Sequence, residues 1–100
     1  MKLYEIAHCR AGDKGNTSIL SLIAYRAEDY PLLVEKVTTA AVQRHLSGIV
    51  AGKVTRHELP GLLALQLVCE DALLTGVTTS LAMDTHGKAL SSALLEMEIS

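Results

Sequence analysis

The sequence predicts an α+β fold: a βαββαβ core with an extra strand near its N-terminus, and both helices on one face of a mainly antiparallel sheet. Three observations predict it. Several segments alternate apolar and polar residues with the period of two that strands show. Two others place their apolar residues on one helical face. Gly, Pro and Asn cluster between them. The 100 residues make one domain's length, so residues 1–100 are read as a single domain.

Lys2 to His8 alternates, which predicts the first strand. Cys9 to Asn16 carries Gly12, Gly15 and Asn16 among charges and reads as a loop. Thr17 to Tyr25 is β-branched and apolar and reads as the extra strand, with a short helix as the rival assignment. Asp29-Tyr30-Pro31 is a helix start, Asp29 serving as cap and Pro31 sitting in the first turn. Leu33, Val34, Val37 and Ala41 share a face, and Thr38-Thr39 interrupts the run and can divide the helix in two. Ser47-Gly48 is the expected stop.

Lys53 to Leu59 alternates and meets the turn pair Pro60-Gly61. Leu62 to Cys69 is almost wholly apolar and reads as a buried strand paired with it, a helix being the rival. After Gly76, Leu81 to Leu94 separates on a helical wheel. Ala82, Met83, His86, Ala89, Leu90, Ala93 and Leu94 lie on one side, and Asp84 and Lys88 form an i,i+4 pair on the other. Leu95 to Ile99 alternates and reads as the closing strand. Without the extra strand the order is the ferredoxin-like split, whose second sheet face needs a partner or a polar coat. That need predicts a homodimer or larger assembly.

Composition narrows the function classes. The net charge is -2, and Tyr4, Tyr25 and Tyr30 are the only aromatic residues. Nucleic-acid binding by stacking in a basic groove is therefore disfavoured. No apolar run approaches the roughly 20 residues that cross a bilayer, so no membrane role is expected. The start of the chain lacks the apolar stretch of a signal peptide, and a cytoplasmic location is expected. Cys9 and Cys69 lack metal or redox spacing and are read as free thiols. No cofactor and no metal are predicted.

The segment Arg10-Ala11-Gly12-Asp13-Lys14-Gly15-Asn16 carries the most local chemistry. Glycines let backbone N–H groups approach an anion, and Arg10 and Lys14 add positive charge. It has neither the P-loop order nor the dinucleotide fingerprint, and a solvated connection is its plainer reading. His8 and Cys9 are neighbours on a strand and point to opposite faces, so one site does not use both. His86 on its apolar helix face is a core histidine or, in the sharper reading, a proton carrier. His57, Arg56 and Glu58 read as edge-strand surface, where charge discourages pairing. His45 at a helix end complements the dipole.

The run Ile6-Ala7-His8-Cys9-Arg10-Ala11-Gly12-Asp13-Lys14-Gly15-Asn16 resembles the start of the AtuA-like ferredoxin-fold domain, named for acyclic terpene utilisation proteins. Glu28-Asp29-Tyr30-Pro31-Leu32-Leu33, Glu58-Leu59-Pro60 and Ser80-Leu81 with Asp84, Gly87 and Lys88 extend the resemblance along nearly the whole chain. It departs at Thr75-Gly76, where relatives tend to have paired glycines, and at Gly61, where Asn is common. The resemblance implies a small subunit acting beside a larger AtuA-type chain in the breakdown of branched or terpenoid acids or their acyl-CoA thioesters. It supplies no established catalytic residue.

Three functional readings follow. In the first, the chain joins the larger partner, Arg10 and Lys14 hold an acyl-CoA phosphate or a carboxylate, and Asp13 fixes the loop or contacts the ligand. Asp84 and Lys88 are then a structural pair or a secondary part of the site, as is His8. In the second, the chain is itself a lyase or hydratase with Asp13 or His86 as proton carrier. In the third it is a structural homo-oligomer.

Overall fold

A computed structural model describes residues 1–14, 17–71 and 88–99, with the side chains at 13, 14, 88 and 89 excepted. Four antiparallel strands form one sheet: β1 (Ala7–Lys14), β2 (Thr17–Ala24), β3 (Val54–Leu59) and β4 (Ala64–Cys69), in the order β1-β2-β4-β3. The helices are α1 (Tyr30–Lys36), α2 (Thr39–His45) and α3 (Lys88–Leu95). This is the predicted α+β, ferredoxin-like arrangement.

Alternation decides which face is core. β2 buries Ser18, Leu20, Leu22 and Ala24 and leaves the residues between them partly exposed. On β4, Leu65, Leu67 and Cys69 point the same way as Leu20 and Leu22. Against them pack Leu33 of α1, Val42 of α2, and Leu90 and Leu94 of α3, with Val37 and Leu46 from the segments that follow α1 and α2. A fully buried aliphatic side chain contributes roughly 1.5–3 kcal/mol, so this aliphatic layer can stabilise the domain without Phe or Trp.

The first helical region is divided where Thr38 predicted. The Thr38 hydroxyl accepts from the Ala41 amide at 3.1 Å and starts α2. Tyr30 fastens α1 to the sheet by donating to the Ala64 carbonyl at 3.1 Å. Asp29 stands before α1 but caps no amide. Its carboxylate accepts from Arg26 Nε at 3.3 Å instead.

Beyond the Asp29 cap, four expectations need correction. Leu3–Glu5 is a 3₁₀ turn and not strand, because Leu3 is buried and its amide donates to the Met97 carbonyl. Cys9–Lys14, expected as loop, is the body of β1, paired residue for residue with β2 from Ala7↔Ala24 to Lys14↔Thr17. The closing strand shrinks to a Lys2↔Glu98 bridge, since α3 runs through Leu95 and β1 already holds the edge beside β2. Arg56 is not an edge charge facing water: it stands on the core side of β3, opposite Leu67. The expected helix over 81–87 and Gly76 lie outside the described residues.

Candidate functional site

The pairing register composes the outward face of the sheet. His8, Ile23, Ala64 and Leu59 stand side by side across the four strands. The next row is Arg10, Ser21, Gln66 and His57, and the third is Gly12, Ile19, Val68 and Thr55. Rows lie about 7 Å apart and strands about 4.8 Å apart. A cation, a hydroxyl, an amide and an imidazole thus form a polar track between two largely apolar rows. Arg10 and His57 are exposed; Ile19, Ser21, Ile23, Gln66 and Val68 are half-buried. None of the three described helices supplies its core residues to this face. At its upper corner the His8 ring stacks on Tyr25, with centroids 5.2 Å apart, and Tyr25 is 61% exposed.

Arg10 makes no ion pair or hydrogen bond with another described side chain, and it projects beside Ser21. Lys14 is four residues further along the same strand, about 13–14 Å away at the backbone. The two therefore do not close on one small anion through their backbone positions. The amides of Arg10 to Lys14 belong to a strand, so they do not form the concave N–H cradle expected of a loop. Gly12 has no positive φ, and a methyl added there meets no atom within 4 Å; its lack of a side chain answers no steric need in this fold. Gly15, Asn16, Asp84 and His86 lie outside the described residues, as do the side chains of Asp13, Lys14 and Lys88. The row partners Ser21, Gln66 and His57 were not singled out as site candidates. Only the register brings them beside Arg10, and nothing in their local sequence marks it.

His8 and Cys9 separate as strand geometry requires, His8 outward against Tyr25 and Cys9 inward against the core. Both cysteines are free. Burial pushes the Cys9 thiol up to about 12, with charge on Cys69 adding to the effect, and burial pushes Cys69 up to about 11. Neither is a thiolate at neutral pH, so neither is an activated nucleophile. The unfolded thiols ionise first, so stability is lost as pH rises from about 9 toward 11–12. Iodoacetamide at pH 8 is expected to label the native chain at least about 100-fold more slowly than the urea-unfolded chain. Mass spectrometry of timed samples checks this, and rapid native labelling of Cys9 would contradict it.

Among the described residues, no group of three or more His, Cys, Asp and Glu side chains is placed to hold a metal ion. No helix among them is long and apolar enough to cross a membrane.

The antiparallel sheet layered on helices defines the class: a ferredoxin-like α+β domain. The profile of the AtuA ferredoxin-like domain matches residues 1–100, and the chain belongs to that family. No curated protein and no solved structure gave a significant match.

Proposed function

We propose that this chain is an accessory subunit that docks by the outward face of its sheet onto a larger AtuA-type chain, in a cytoplasmic pathway that breaks down branched or terpenoid acids as acyl-CoA thioesters. The supporting observation is that face: Ile19, Ile23 and Val68 flank the polar track and no described helix packs its core residues there. A contiguous, partly apolar face of this kind is uncommon on a monomer. Without the larger chain, the same face pairs two copies of this one. Arg10 then stands at the margin of the joint surface beside a phosphate or carboxylate of the ligand, and Lys14, four residues along β1, is the candidate for a second charged group. Asp13 lies between them in sequence, and its proposed part is to fix this segment or to contact the ligand.

Light scattering on the purified chain is expected to give a dimer or larger species, and co-expression with the larger chain a mixed complex. Ile19→Asp with Val68→Asp should abolish both while circular dichroism stays unchanged. Arg10→Ala and Lys14→Ala should each weaken acyl-CoA binding by the complex, and Arg10→Ala should leave thermal stability intact, because an exposed cation contributes about 1 kcal/mol or less to folding. A wild-type chain that is strictly monomeric at high concentration and ignores the larger chain would refute the docking role. Equal binding by wild type and Lys14→Ala would remove that lysine from the ligand site.

A further inference from the structure

We infer that a cleft between the ends of α1 and α2 and the C-terminal segment binds a small organic carboxylate with an apolar body. It is a second site, with no lining residue from β1 or the outward sheet face, and it does not rest on the docking role.

The cleft measures about 390 Å³ and is lined by Lys36, Ala41, Arg44, His45, Met97, Glu98 and Ile99. That volume is near the lower end of ligand pockets and suits a molecule of roughly ten heavy atoms. Its construction follows from the local sequence. Lys36 is the last residue of α1. Ala41, Arg44 and His45 are three and four residues apart on α2, hence on one helical face. His45 Nε2 donates to the Ala93 carbonyl at 2.7 Å, which holds α2 against α3 and fixes one wall. Met97 and Ile99 are almost fully buried and form the apolar part. Backbone bonds from Leu3 N to Met97 O and from Ile99 N to Met1 O hold their segment in place.

The charge on the rim is positive. Lys36 and Arg44 have no ion-pair partner among the described residues. Glu98, the acidic lining residue, is already engaged. It accepts from the N-terminal ammonium, which holds its carboxyl below the usual range, and lies 3.8 Å from Lys2 Nζ. Two cations without an ion-pair partner among the described residues, set beside Ala41, Met97 and Ile99, match a ligand with one charged end and an apolar remainder. A phosphate is a poorer match. α1 and α2 end at Lys36 and His45, so their dipoles weigh more against a doubly charged phosphate than against a single carboxylate, and the apolar lining of Ala41, Met97 and Ile99 offers phosphate no partner.

The same dipoles supply the competing account, in which Lys36 and Arg44 only complement two helix ends. The two accounts differ in what a variant loses. Octanoate titrated into the isotope-labelled full chain should shift the amides of Ala41, Arg44, His45 and Met97 and saturate. Octanamide, which keeps the body without the charge, and inorganic phosphate, which keeps charge without the body, should each bind about tenfold more weakly or worse, a loss of about 1.4 kcal/mol. Lys36→Ala with Arg44→Ala should weaken octanoate by a similar factor while the melting temperature holds. Shifts confined to the outward sheet face, phosphate binding equal to octanoate, or octanoate affinity unchanged in the double variant would each overturn the inference.

Discussion

Leu67→Ala is expected to destabilise the domain by about 2–5 kcal/mol, the cost of removing a fully buried leucine and leaving a cavity. Leu67 lies on β4, a central strand, with Leu20 of β2 on one side and the aliphatic part of Arg56 on the other. The fully buried neighbours are aliphatic, and Tyr30, the aromatic residue packed against this core, is tied by its hydroxyl to the Ala64 carbonyl. For a domain with a total of roughly 5–15 kcal/mol, that loss is a large share of its stability. Val68→Ala, one residue away, removes a half-buried side chain on the opposite face and should cost about 1 kcal/mol or less in the monomer. Urea titration of both variants reads the difference. Equal losses at a concentration where the chain is monomeric would mean that the sheet is buried alike on both faces, and the outward face would then be no docking surface.

β2 and β4 were legible without a structure from composition and length: Thr17–Tyr25 is β-branched and apolar, and Leu62–Cys69 is a short, almost wholly apolar run after a turn. Thr17–Ala24 buries every second residue, but the face is not marked by polarity, since Ser18 is buried while Ile19 and Ile23 face outward. The division at Thr38 was visible because Thr38-Thr39 interrupts a run of good helix formers; that Thr38 also caps α2 came from the structure. The Arg10–Lys14 segment misled because its glycine and charges have loop composition. On an edge strand those residues reflect exposure: Arg10, Ala11 and Gly12 are all open to solvent, so the ladder with β2 alone holds them extended. A ladder is a long-range fact, and composition does not encode it. The site was legible to the same extent. Arg10 could be nominated as a cation, while its neighbours Ser21, Gln66 and His57 depend on a register across four strands. Glu98 and Lys36 share a cleft only because the C-terminal segment returns beside α1 and α2.

Arg56 shows the limit of periodicity most clearly, and it carries the second large effect. Alternation along Val54–Leu59 gives two sets of residues but not which set faces inward. Val54 is buried, so Arg56 and Glu58 share its face. There the guanidinium closes the end of α1. Nη1 donates to the Val34 carbonyl at 2.8 Å and to the Val37 carbonyl at 3.0 Å, and Nη2 donates to Glu58 at 3.0 Å. These carbonyls lie at the end of α1, where helical partners run out and chain direction changes before Thr38. Arg56→Ala strands them in a partly buried place, and each unsatisfied group costs about 1–3 kcal/mol. The expected loss is about 2–3 kcal/mol on that basis, against roughly 0.5 kcal/mol or less for an exposed edge charge. Arg56→Lys keeps a donor without the planar fork and should recover part of the loss. Hydrogen exchange gives a second readout, since amides near the α1–α2 junction should exchange faster in Arg56→Ala while those of β2 respond only through global stability. A variant as stable as wild type, with unchanged exchange at the junction, would return Arg56 to the role of a surface charge.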